Sequence, residues 1–175
     1  MPNKLRLLVT KSCDRKCPGC CNQDWDLDGL ERLDFSEIRE YSEILITGGE
    51  PMLYPTQLMH FLRKINDYAP WVRVYMYTAR TKRPAELVGV MAWLDGLTLT
   101  LHTRDDADRF MDFKRCMPAK WLDSKSLRLN VFKEVEMDDV ILDIIGKGWE
   151  VKNNMEWIKD CPLPEGEVFK KWIIK

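Results

Sequence analysis

The sequence predicts an α/β fold: a partial (β/α)6 open barrel, in which a parallel curved sheet carries its helices outside. Three observations point to it. Six short runs rich in aliphatic residues alternate with segments of helical periodicity, and such alternation builds right-handed βαβ units and a parallel sheet. Six strands are too few for a closed eight-stranded barrel. A chain of 175 residues, 45% hydrophobic, suits a single domain with a real core.

Leu5-Arg6-Leu7-Leu8-Val9-Thr10 reads as the first buried strand, stopped by Lys11-Ser12. Asp34-Phe35-Ser36-Glu37 has a capping-box pattern, with Asp34 as N-cap and Glu37 three residues on, and predicts a short helix towards Tyr41. Ile44-Leu45-Ile46 is the second strand. Leu58, Phe61, Leu62 and Ile65 fall at i, i+3, i+4 and i+7, which gives a helix one apolar face. Val72 to Tyr77 is the third strand, and Pro84 starts a helix reaching about Leu94. Gly96 to His102 is the fourth strand, followed by a helix with Phe110, Phe113 and Met117; Cys116 on that helix reads as core. Leu127 to Val131 is the fifth strand. Val140, Ile141, Ile144 and Ile145 make a last crossover helix, ended by Gly146 as a left-handed cap. Trp149-Glu150-Val151 is a short sixth strand. The expected core therefore spans residues 1–152, and residues 153–175 form a tail that packs on the sheet edge or covers the site.

The bulk numbers exclude several classes. No apolar stretch approaches the length of a membrane-spanning helix. A net charge of −1 offers no electrostatic case for a membrane surface or non-specific nucleic-acid binding. Met1-Pro2-Asn3-Lys4 leads into only a short apolar run, which is no secretory signal, so the expected location is cytoplasmic, where thiols stay reduced.

The chemistry is concentrated after the first two strands. Cys13, Cys17 and Cys20, written Cys-x3-Cys-x2-Cys, put three thiols in one short loop, and the second strand ends in Thr47-Gly48-Gly49-Glu50-Pro51. Three cysteines crowded together argue for metal over disulfides. A compact cysteine run is how proteins hold a [4Fe–4S] cluster, here with one iron left open. The glycine-rich turn is expected to offer exposed backbone amides and a carboxylate at a strand end. Zinc is the competing reading, with Cys21, Cys161 or His60 as fourth ligand, but structural zinc sites pair two Cys-x2-Cys knuckles and only one exists here.

Together the two motifs resemble the signature of the radical S-adenosylmethionine (SAM) superfamily, over about residues 5–152. The resemblance implies that Cys13, Cys17 and Cys20 ligate the cluster. It also implies that Gly48, Gly49 and Glu50 receive the SAM amino group while Pro51 fixes the turn. Thr78 matches a Thr-Asn-Gly turn common in the superfamily, with Ala79-Arg80 in place of the rest. Leu99-Thr100-Leu101-His102-Thr103 is similar to the Ser-Leu-His-Ala stretch of the radical SAM RNA methyltransferases, which puts Thr100 against the SAM ribose; Cys161 is the one candidate for their second cysteine. Asn130 resembles an asparagine that many members place near SAM. His102 reads as a packed strand-end histidine. Most members carry an aromatic that touches adenine just before the third cysteine, and this chain has Gly19 there. Cys17-Pro18-Gly19-Cys20, then Cys21-Asn22, resembles instead the Cys-Pro-Gly-Cys-Tyr-Asn of glycyl-radical-enzyme activases, anaerobic ribonucleotide reductase activases among them.

The resemblance implies reductive cleavage of SAM to a 5′-deoxyadenosyl radical that takes a hydrogen atom from a substrate. The electron comes from a partner such as flavodoxin or ferredoxin. The favoured substrate is a nucleotide, base or other small metabolite, the alternative a partner glycyl radical enzyme. Asp24-x-Asp26-x-Asp28-Gly29 starts like a calcium loop, but Phe35 stands where its glutamate belongs, so a solvated acidic loop is expected.

Overall fold

The computed structural model describes residues 3–158 and 160–174; Met1, Pro2, Lys159 and Lys175, which include the outer bounds of the two predicted segments, lie outside the described residues. Its strands are β1 (Lys4–Leu8), β2 (Glu43–Thr47), β3 (Arg73–Thr78), β4 (Gly96–Leu101), β5 (Ser126–Phe132), β6 (Glu150–Met155) and β7 (Glu167–Lys171). The helices are α1 (Pro55–Tyr68), α2 (Pro84–Met91), α3 (Arg104–Cys116), α4 (Trp121–Ser124) and α5 (Asp139–Ile145). The strands form one open sheet in the order β6-β5-β4-β3-β2-β1-β7, every neighbouring pair parallel. This is the expected α/β architecture, with helices on one side.

The alternation of side chains along each strand explains the layering. Leu5, Leu7, Ile44, Ile46, Val74, Met76, Leu97, Leu99, Leu127 and Leu129 are buried against the helices. Phe110 and Phe113 of α3 and Trp149 fill the space behind β4 and β5, with Trp149 edge-to-face to both phenylalanines. The other face is polar: Arg6, Tyr75, Tyr77, Thr98, Thr100, Arg128 and Asn130 occupy the alternate positions. A sheet covered on one side only has this pattern.

Four elements differ from the sequence reading. A seventh strand, β7, extends the sheet from the predicted tail and pairs with β1 over Lys4↔Glu167 to Leu8↔Lys171. Charge hides it, because Lys170 is inward-facing and buried. Lys170 is held by Glu37 and, at 3.3 Å, by Glu31. The predicted apolar stripe of α5 is mostly turned outward: Ile145 is buried as expected, beside Leu142, but Val140 and Ile144 are 67% and 65% exposed. Gly146 ends α5 in right-handed geometry (φ −81°), not as a left-handed cap. Cys116, at the last position of α3, is exposed and not core. The Asp34 capping box forms as read, on a 3-10 helix over Phe35–Glu40. Among the described residues no helix is long and apolar enough to cross a membrane.

Phe110 is fully buried and carries α3, which positions part of the site. Phe110→Ala is expected to cost about 3–5 kcal/mol of unfolding free energy, read from urea denaturation monitored by far-UV circular dichroism.

Candidate functional site

The loops that follow β1 and β2 interlock through their backbones. Gly49 N–H donates to Thr10 O (2.7 Å) and Glu50 N–H to Ser12 O (2.8 Å). The Asn22 side-chain amide, just past Cys20 and Cys21, donates to Gly48 O (2.8 Å). The glycines are required by proximity: a Cβ on Gly48 would lie 2.4 Å from Thr10 O, and one on Gly49 would lie 2.1 Å from Ser12 O. Gly48 also has φ +151°, a conformation side-chain-bearing residues rarely adopt. The amides expected to be exposed are therefore engaged, and they bind the cysteine loop itself.

Glu50 is 2% exposed. Its carboxylate accepts from the Thr78 hydroxyl (2.6 Å), Ala79 N–H (3.0 Å) and Met52 N–H (2.9 Å). Burial pushes its pKa up, against the pull of these three donors and of Arg15. Thr78 thus acts through Glu50. Thr100 and Asn130 are register partners on β4 and β5. Thr78 pairs with Leu99 and so belongs to the opposite face from Thr100 and Asn130. The structure brings Cys13, Cys17, Cys20, Gly48, Gly49, Glu50, Pro51 and Thr78 to one end of β1–β3, with Thr100 and Asn130 on the polar face alongside.

Cys13 is exposed, Cys17 and Cys20 half-buried. Burial raises the Cys13 and Cys17 pKa values, and the thiols add to it through one another: Cys20 acts on Cys13, and both Cys20 and Cys13 act on Cys17. In kind and spacing the donor set fits an iron–sulfur cluster, and ligation must displace the thiol protons. Among the described residues, however, no group of three His, Cys, Asp or Glu side chains is gathered in a metal-holding arrangement. Of the fourth ligands considered for zinc, Cys21 and Cys161 are joined in a disulfide, and His60 sits on α1 beside Phe35 and Tyr68. In the acidic loop, Asp28 takes Lys11 (2.5 Å) and Asp26 accepts from Gly29 N–H (2.9 Å).

Three further features belong to the site. Arg15, inside the cysteine loop, bonds Asp106 with both terminal guanidinium nitrogens (2.9 Å for Nη1) and reaches Ala79 O (2.6 Å). Asp106 also accepts from His102 N–H and Thr103 N–H, both 3.0 Å, and closes the α3 capping box. Burial opposes its ionisation, yet Arg15 and these donors hold its carboxyl below the usual carboxylate range. The Thr103-x-x-Asp106 spacing was legible as a cap, but its tie to Arg15 was not. Trp157 stacks on the His102 ring (5.1 Å, 2°) and lies 4.3 Å from Phe132. It occupies the space in front of Gly19, where a Cβ would sit 2.6 Å from Trp157 Cβ. The Cys21–Cys161 bond spans a sequence separation of 140 and had no local signal. A cavity of about 360 Å³ lies on the polar face towards the amino ends of the strands, with Lys4, Glu43, Arg73, Tyr75, Tyr77 and Arg128 on its walls.

Two measurements probe this geometry. Gly49→Ala is expected to lose about 2 kcal/mol or more, since a backbone wedge cannot rotate away; hydrogen exchange at the Glu50 amide should accelerate. Gly89→Ala is the tolerated control, because its Cβ would meet only the Met59 sulfur, at 3.3 Å, and alanine favours the helix. Burial and then the Arg15 charge lower the His102 pKa from 6.5 to about 4. The unfolded chain therefore takes up this proton first, so the His102 contribution is complete above pH 6.5 and lost as pH falls towards 4. NMR titration should place the midpoint near 4, and His102→Gln should remove the corresponding slope of stability with pH. No family model matches the chain, and no curated protein matches it.

Proposed function

We propose that this chain is a radical SAM enzyme acting in the cytoplasm on a nucleotide, base or other small metabolite. The observation that carries the reading is the interlock of the Cys13-Cys17-Cys20 loop with the Gly48-Gly49-Glu50-Pro51 turn at the carboxyl ends of neighbouring parallel strands. Open α/β sheets bind their ligands at that end. Cys13, Cys17 and Cys20 would hold the [4Fe–4S] cluster. When bound, the cluster and SAM supply a 5′-deoxyadenosyl radical able to abstract a hydrogen atom, with the electron delivered by a flavodoxin- or ferredoxin-type donor.

The chain's own residues orient and exclude. Glu50, buried and kept rigid by Thr78 and the Ala79 and Met52 amides, would fix the Gly48-Gly49-Glu50 turn that receives an ammonium group. Arg15 ties the middle of the cysteine loop to α3 through Asp106 and to β3 through Ala79 O. Thr100 and Asn130 offer a hydroxyl and an amide side by side on the polar face, suited to a ribose or a base edge. His102, neutral above about pH 4, packs its ring against Trp157. The Thr100 and Asn130 side chains on the polar face favour a small substrate. A second reading, activation of a glycyl radical enzyme, rests on Cys17-Pro18-Gly19-Cys20 and on Asn22, whose side chain holds Gly48 O.

The test is anaerobic reconstitution with iron and sulfide, followed by dithionite-dependent conversion of SAM to 5′-deoxyadenosine. About four irons per chain are expected, with cleavage, and Cys17→Ala should lose both. Zinc in place of iron would overturn the reading. Deuterium transfer from a labelled metabolite into 5′-deoxyadenosine supports the small-substrate form; a glycyl radical in a partner protein, seen by electron paramagnetic resonance, would replace it with the second.

A further inference from the structure

We propose that the Cys21–Cys161 disulfide is a redox latch on the cysteine loop: closed, it holds Cys13, Cys17 and Cys20 out of a metal-binding arrangement, and reduced, it lets them gather. Four observations carry this. Cys21 directly follows Cys20 and opens the short 3-10 turn Cys21–Gln23, so a bond at Cys21 restrains the third thiol of the loop. Its partner is buried. Cys161 is 7% exposed and lies between β6, which pairs with β5, and β7, which pairs with β1. The same stretch of chain touches the loop at a second point, where Trp157 fills the space in front of Gly19. Finally, although the three thiols share one short loop, no three donors are gathered for a metal among the described residues.

The loop is thus assembled but clamped short of ligation. Its other anchors are hydrogen bonds: Gly49–Thr10, Glu50–Ser12 and Arg15–Asp106 on the first half of the loop, and Asn22–Gly48 beyond Cys20. The disulfide is the covalent restraint on that end.

Opening the latch needs a dithiol, small-molecule or protein. A thiolate of the dithiol attacks the sulfur of Cys21, which belongs to an exposed residue, and Cys161 leaves as a thiolate and takes a proton. The second thiol of the dithiol then resolves the mixed disulfide and releases Cys21 as a thiol. Two electrons and two protons pass to the pair, and the dithiol becomes a disulfide. The proposal rests on the proposed function only for which group is loaded; the latch itself rests on the geometry. It couples loading of the site to a reducing compartment.

The experiment uses Co2+ as probe, because cobalt reports thiolate ligation by a charge-transfer absorption and reduces no disulfide. Full-length protein is compared oxidised, after phosphine reduction and removal of the phosphine, and as the Cys21→Ser/Cys161→Ser double variant. Peptide mapping without reductant should find the 21–161 cross-link in the oxidised form alone. Reduced wild type and the double variant should bind cobalt with the thiolate band, about tenfold or more tighter than oxidised wild type, and adding Cys17→Ala should abolish the band. Equal binding by oxidised and reduced wild type overturns the proposal, as does absence of the cross-link. Binding by reduced wild type but not by the double variant also overturns it, since Cys21 and Cys161 would then be the ligands. If cobalt binds as expected while iron and sulfide yield no cluster, the latch stands and the proposed function falls.

Discussion

Two backbone hydrogen bonds, Gly49 N–H to Thr10 O and Glu50 N–H to Ser12 O, hold the loop after β1 against the turn after β2. They need two chains to approach more closely than any side chain allows, which is why the turn is written Gly48-Gly49. Once that approach is made, Glu50 is driven beneath the loop into a buried position. There the Thr78 hydroxyl and two amides must satisfy its carboxylate, because an unpaired buried charge would cost several kcal/mol. The placement of the thiols, the carboxylate and β3 relative to one another follows from this contact.

A second layer of constraint comes from the far side of the loop. Arg15 crosses to Asp106, whose remaining oxygen valence caps α3 and accepts from the His102 and Thr103 amides. The cysteine loop is therefore clasped between β2, β3 and α3, as a loop must be if its side chains are to hold a defined geometry. His102 is drawn into the same assembly. Its backbone is held by Asp106, its ring lies against Trp157 and Phe132, and burial, then the nearby Arg15 charge, keeps it neutral. Under the proposed function these residues position the reacting groups without touching them.

The residues after β6 change the character of the site. They bring Trp157 to Gly19 and Cys161 to Cys21, then complete the sheet with β7. Sequence reading treats them as a tail because Lys170, an inward-facing charge, breaks the alternation that marks a half-buried strand. The structure resolves the conflict with Glu37 and Glu31 around that ammonium. A similar reversal occurs at α5. There periodicity names Val140, Ile141, Ile144 and Ile145, yet the helix, only Asp139–Ile145, is short enough that the docking of Leu142 with Ile145 decides its orientation and leaves the other three exposed.

The sequence by itself determined the parallel α/β order, the Asp34 cap, and the two motifs at the ends of β1 and β2. Each of these is encoded within a few residues by period, cap chemistry or spacing. Only the tertiary structure decided that Thr78 serves Glu50, that Arg15 meets Asp106, that Trp157 fills the place Gly19 leaves, and that Cys21 finds Cys161. These pairs lie 28, 91, 138 and 140 positions apart, the third being 157 − 19. No local pattern reports a partner chosen by the closure of the whole sheet. Backbone propensity acts over one or two turns, whereas the pairing of distant side chains is set by which strands lie side by side.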